Sequence, residues 1–374
     1  MKIFNKNEWK KVKLGDIFNL QMGKTPLREN KLYWNKGEYN WISISDMNFS
    51  EKYVSFTKEK ISNLAVKESG IKIIPKNTVI MSFKLSIGKV KIVNDDIYSN
   101  EAIMAFIPKE NIPIDKNFLY YSLKSVKWNE GINKAVKGLT LNKSLISQKE
   151  ILLPNLIVQK EIGNNLDNIE NFLELRRKQL DYLKELNKSL FTKFNKNGVE
   201  KQLNDVADII MGQSPLSQSY NKDKKGLPFY QGKTEFSDIY IKEATVYCNS
   251  PIKVVEENDI LMSVRAPVGD VNIATQKSCI GRGLASIKPQ KIDYLYLFYL
   301  LKEQKSKIEK IGVGSTFKAI NKNNISTLKI SIVEKDKQNK IRNYLSFIEK
   351  LKFTIITIIL NTYETIKKKG VEKD

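Results

Sequence analysis

Two short stretches carry the residues best placed for chemistry. Ile80–Lys91 reads IMSFKLSIGKVK and Ile260–Val271 reads ILMSVRAPVGDV. Each runs from apolar residues through Met-Ser to a hydrophobe and a cation (Phe83-Lys84, Val264-Arg265), then reaches Gly88 or Gly269. Such a cation is either an ordinary strand-end charge or a contact to an anion. Bond-making chemistry finds little support. There is no histidine, and Cys248 and Cys279 are the two cysteines. A His-based triad, a His-ligated metal and a four-cysteine zinc site are therefore excluded. Gly-Lys-Thr occurs at Gly23–Thr25 and Gly232–Thr234, but Phe18 and Leu227 stand where a phosphate-binding loop needs its first glycine. Gly312-Val313-Gly314 follows a charged segment, not a strand, which argues against a dinucleotide or methyl-donor loop. No Pro-Pro occurs, so the Asn/Asp-Pro-Pro-aromatic motif of amino-methyltransferases is missing. Acid-x-Lys triples such as Asp223-Lys224-Lys225 are expected by chance in so lysine-rich a chain.

Charge points to binding instead. Lys and Arg number 63 against 41 Asp and Glu, a net charge of +22 spread along all 374 residues. Such a field attracts polyanions, chiefly nucleic acid or anionic lipid. The apolar fraction of 41% is that of a globular chain, and the length suits two domains. The start, MKIFNKNEWKKV, has no apolar stretch of signal-peptide type, and Phe353–Leu360 is far too short to span a bilayer. A cytoplasmic protein is expected.

The elements that position the two stretches are themselves duplicated. Lys13–Pro26 (KLGDIFNLQMGKTP) is echoed by Gln202–Pro215 (QLNDVADIIMGQSP), and Ser69–Ser82 by Ser250–Ser263. Asp115–Ser125 matches Asp293–Glu303, Lys134–Ile146 matches Glu309–Asn321, and Gln159–Leu166 matches Gln338–Leu345. Two copies at so long a period make a tandem pair of domains, not a solenoid. Each copy orders a short apolar segment, a Gly-x-Thr/Ser-Pro loop, several β-patterned runs, a helix with an aromatic face, a glycine-bearing loop and a last strand.

Each copy ends in a heptad. Leu166, Ile169, Leu173, Arg176, Leu180, Leu183, Asn187, Leu190 and Phe194 keep an unbroken 4-3 spacing, as do Ile341, Leu345, Ile348, Lys352, Ile355, Ile359, Thr362 and Ile366. Helices of about 50 Å with such a seam need a partner, and the simplest partner is the duplicate. The fold expected is α+β: two tandem-repeated globular α/β domains, 1–155 and 197–335, each followed by a long helix, 156–196 and 336–374. The two helices are expected to form an antiparallel coiled coil.

The Met-Gly-x-Thr/Ser-Pro loop, the Met-Ser-hydrophobe-cation element, the Gly-x-Thr loop and the heptad helix starting near Gln159 or Gln338, all in twofold order, resemble the specificity (S) subunit of type I restriction-modification systems. The resemblance covers essentially the whole chain. One departure is Ser331–Lys337, which has no proline where the first copy has Pro154. The resemblance implies two target-recognition domains, each reading half of a split double-stranded DNA target, with the helices as a ruler between them. It implies two methyltransferase (M) subunits docked on the helices, restriction/translocase (R) subunits reached through the complex, and no membrane. It also implies no catalysis and no cofactor here, S-adenosylmethionine being bound by the partner methyltransferase.

Candidate DNA contacts then follow. They are Lys24, Thr25, Arg28, Lys84, Lys137 and Thr140 in the first copy, and Gln213, Ser214, Gln231, Arg265, Arg282, Ser315, Thr316 and Lys318 in the second. Lysines suit phosphates, Arg265 and Arg282 suit guanine, and Gln213 and Gln231 suit adenine. Inserting one heptad after Asn187 and one after Ile366 is expected to lengthen the unread spacer by two to four base pairs, from about 10 Å of added helix. A fused specificity–nuclease enzyme and a basic membrane-surface protein are the alternative functions.

Overall fold

The computed structural model describes residues 9–371, apart from 36, 50, 55, 85, 129–140 and 313–318, with backbone alone for 366–371. The chain divides into two compact units, 1–174 and 175–374.

In the first unit, a five-stranded sheet has the order Phe18–Met22, Ile103–Pro108, Val79–Ser82, Val90–Val93, Tyr53–Val54. All its pairings are antiparallel except the last. Strand alternation decides which side chains go where, because successive Cβ atoms point to opposite faces. Val79, Met81 and Phe83 join the core beneath the helix Lys116–Ser125, together with Leu119, Tyr120 and Leu123. Ile80, Ile103 and Ala105 face the other way, into a second core with Ile42, Met47 and Ile97. Buried on both faces, the strand reads as a continuous apolar run. A three-stranded sheet, Glu59–Ile61, Tyr39–Ile42, Tyr98–Ser99, completes the unit, and Lys10–Lys13 pairs with Glu150–Leu153.

The second unit repeats the plan. Its four-stranded sheet has the order Ala207–Met211, Leu284–Pro289, Ile260–Ser263, Val271–Ile273. Ile260, Met262 and Val264 pack with the helix Tyr294–Glu303, while Leu261 turns to a separate core with Tyr230 and Ile280. A five-stranded sheet built around Leu227–Tyr230 and Ser278–Ile280 flanks it, and Val199–Gln202 pairs with Lys329–Ile332.

The central helix spans Leu156–Phe194 and the distal helix Lys335–Val371. Every heptad seam position with a described side chain is buried or half-buried, including Asn187 at 5% exposure and Lys352 at 7%. Within the second unit, Arg177 donates to Tyr363 OH, Asn187 Nδ2 lies 2.9 Å from Glu349 Oε1, and Phe194 stacks on Tyr344. Partners descend the distal helix as positions climb the central one, so the pair is antiparallel.

The missing proline does not alter the second helix's start. Gln159 Nε2 donates to Pro154 O at 2.9 Å, and Gln338 Nε2 donates to Val333 O at 2.7 Å. Both glutamines are buried. The side chain that bends back onto the residue two before the helix sets the entry, with or without the proline.

Candidate nucleic-acid interface

In the two Met-Ser elements one hydroxyl closes the same turn. Ser82 Oγ donates to Ser86 O and accepts from Lys89 N; Ser263 Oγ donates to Pro267 O and accepts from Asp270 N. Gly88 N donates to Ser82 O and Gly269 N to Ser263 O, both at 2.9 Å. Both glycines have φ of 85°, a left-handed conformation that side chains rarely tolerate. The turn presents Lys84 or Arg265 at the strand end.

In the first unit, the loop after Phe18–Met22 lies against the chain entering the strand Ile103–Pro108. Gly23 N donates to Ile103 O and Lys24 N to Ser99 O. A Cβ on Gly23 would sit 2.1 Å from Ser99 O, so only glycine permits this approach. Thr25 Oγ1 then donates to Glu101 Oε2 at 2.5 Å. Phe83 N donates to Ala102 O at 2.9 Å, one step beyond the Ser82–Ile103 pair, which sets Lys84 across from Glu101. Burial pushes the Glu101 carboxyl up, but the Thr25 hydroxyl and the charges of Lys84 and Arg28 bring it below its ordinary value. It is ionised at neutral pH.

Arg28 is held elsewhere. Its guanidinium forks onto Glu59, with Nη2 at 3.1 Å from Oε2, and lies 3.8 Å over the Trp34 ring. The fork that would grip guanine is occupied by a carboxylate. Trp41, packed edge-on against Trp34, donates its Nε1 to Lys24 O and ties this aromatic pair to the loop. Lys24 is exposed and Lys84 half-exposed.

The second unit places Gln213, Ser214, Gln231, Arg265 and Arg282 together. Gly212 N donates to Leu284 O and Gln213 N to Ile280 O, while Ser214 Oγ accepts from Arg282 N at 3.2 Å. A Cβ on Gly283 would meet Gln231 O at 2.3 Å, so Gln231 adjoins Arg282. Val264 N donates to Gly283 O, so Arg265 and Arg282 each lie one residue beyond that bond, and Arg265 itself bridges to Ala319. Gln213, Gln231, Arg265 and Arg282 are exposed, and among the described residues no acid pairs with either arginine. Lys137, Thr140, Ser315, Thr316 and Lys318 lie outside the described residues. The chain beyond them returns to the same places: Leu141 N donates to Phe83 O and Ile320 N to Val264 O, each at 3.1 Å.

Sequence reasoning missed Glu101. It also missed an open groove along the edge strand Phe18–Met22, lined by Lys72, Lys109 and Lys143. The Glu101 signal was present in the repeat, since Glu101 aligns with Arg282, but charge reversal hides the match. Among the described residues, no group of acids or cysteines could hold a metal ion, and no helix is long and apolar enough to cross a membrane.

A family model described as the type I restriction modification DNA specificity domain matches twice, over residues 6–185 and 195–365. A Methanocaldococcus jannaschii protein provisionally assigned as the MjaX specificity subunit of a type I restriction enzyme is 39% identical over 272 residues, 65% of this chain and 63% of that protein. The MjaIX specificity subunit of the same organism is 29% identical over 188 residues, 49% of this chain and 43% of that protein. The matches thus span less than two thirds of these relatives' lengths. The crystal structure of the type I restriction-modification S subunit from M. genitalium aligns with a TM-score of 0.64 at 16% identity, covering 98% of this chain and 96% of that one. A structure from a study of complex assembly and conformational transition of the type I system also gives 0.64, at 23% identity, covering 96% and 94%. Both support the fold.

Proposed function

The chain belongs to the type I restriction modification DNA specificity family, and from that premise we propose that it is the specificity subunit of a type I restriction-modification complex. It recognises a bipartite double-stranded DNA target and performs no catalysis itself. Two methyltransferase subunits, which bind S-adenosylmethionine, dock on it, restriction subunits join through the complex, and the assembly works in the cytoplasm.

The observation that carries this reading is the duplicated presentation of a cation beside a glycine-fixed loop: Lys84 with Lys24 and Thr25, and Arg265 with Gln213 and Ser214. Lys24 and Lys84 hold phosphates as point charges. Arg265 and Arg282 present free planar forks to guanine, and Gln213 and Gln231 present amides to adenine. Arg28, already bidentate on Glu59, stiffens its loop rather than reading a base.

Methylome sequencing of the host with and without this gene tests the proposal. A bipartite methylated motif should vanish on deletion, and the purified chain should transfer no methyl group from S-adenosylmethionine. An unchanged methylome, or turnover by the isolated chain, sinks it.

A further inference from the structure

Positions 101 and 282 occupy the same place in the two units. Each lies on the loop entering the strand that pairs with the Met-Ser element, each is touched by the hydroxyl after the Met-Gly loop, and each lies one residue beyond the bond that ties that loop to the residue before the cation. Yet one is a carboxylate and the other a guanidinium. Lys84 and Glu101 compensate one another. Arg265 and Arg282 have no such compensation: among the described residues neither forms an ion pair with an acid. Both side chains at this position are exposed.

An ionised carboxylate can only accept. In the major groove cytosine offers an amino donor with no acceptor beside it, adenine sets its N7 acceptor next to its amino group, and guanine offers only N7 and O6 acceptors. The carboxylate therefore matches cytosine and repels guanine, while the guanidinium fork matches guanine. We infer that residues 101 and 282 are one equivalent base-reading position, at which Glu101 accepts from a cytosine amino group and Arg282 donates to guanine N7 and O6. The two half-sites then carry opposite members of a G·C pair at the matching place. This rests on the DNA-specificity reading above.

The test selects bound duplexes from a randomised library with the full chain co-purified with its host partners, as wild type, Glu101→Gln, Glu101→Arg and Arg282→Glu. Wild type should select cytosine in one half-site and guanine at the matching place in the other. Glu101→Arg should turn that cytosine to guanine, and Glu101→Gln, nearly isosteric and so safe for folding, should weaken the preference roughly ten- to a hundredfold. Arg282→Glu should turn the guanine to cytosine in the other half-site alone. Unchanged bases in Glu101→Arg or Arg282→Glu, an undiminished cytosine preference in Glu101→Gln, or changes in both half-sites from one substitution overturn the inference. A wild-type protein that selects no motif at all sinks the specificity reading instead, so the two failures are distinct.

Discussion

Asp270 sits at the foot of the turn that carries Arg265, where Lys233 Nζ at 2.6 Å and Lys305 Nζ at 2.5 Å share its carboxylate. Partial burial pushes its pKa up, but the two lysines win and hold it below the usual aspartate value. A group whose folded pKa is depressed stabilises the fold above its unfolded pKa and loses that contribution as pH falls through the folded value. Asp270→Asn should therefore cost about 1 kcal/mol at neutral pH, since both lysines are partly exposed. The difference should close in acid below about pH 4. Denaturant melts of both proteins across that range would show it; a gap that persists in strong acid would assign the loss to packing. At this scale the sequence revealed the two cations because each follows its own Met-Ser, a local signal. Glu101 was not legible, because its place beside Thr25 and Lys84 comes from contacts between distant segments, which no local spacing encodes.

The helices show what a period can and cannot say. The 4-3 spacing identified the seam, because a 3.5-residue repeat keeps one stripe facing one partner. It did not say which turn meets which. Asn187 faces Glu349, so the heptad matching an insertion after Asn187 belongs beside Glu349, and not after Ile366 as the shared register suggested. With that pair of insertions, about 10 Å of added helix should lengthen the spacer of the selected DNA target by two to four base pairs, with both half-sites unchanged. An unchanged spacer would remove the helices from that role. Asn187 also explains how the seam meets its domain. It donates to Tyr299 OH at 2.7 Å, and Tyr299 OH donates to Glu349 Oε1 at 2.8 Å. Tyr121 repeats the link to Glu170 at 2.8 Å in the first unit. Burial and then the neighbouring carboxylate push the Tyr299 phenol far above its ordinary pKa, so it remains a donor. Tyr299→Phe should leave Asn187 and Glu349 short of a partner and cost about 1–3 kcal/mol of unfolding free energy. Chemical denaturation would check this, and a loss below a few tenths would mean the triad is not a lock.

For the whole molecule the governing quantity is charge. A net +22 distributed over both copies means that binding to any duplex is dominated by phosphates, each neutralised phosphate releasing counterions. On the proposed function, specificity is a small difference on a large electrostatic background, so a single fork or carboxylate at each proposed reading position would matter. Composition alone pointed to a polyanion; it could not separate proposed phosphate cations from proposed base readers, because that depends on which fork is occupied, as Arg28 by Glu59 and not Arg265. The logarithm of affinity should fall linearly with the logarithm of salt, with a slope of about −0.9 per phosphate contact. Lys24→Ala should flatten that slope by about one and weaken target and non-target duplexes alike, whereas Arg265→Ala should weaken the target far more. Fluorescence titrations at several salt concentrations, on matched and scrambled duplexes, separate the two. Equal losses on both duplexes from Arg265→Ala would make it one more phosphate cation, and an unchanged slope in Lys24→Ala would take the Met-Gly loop off the DNA.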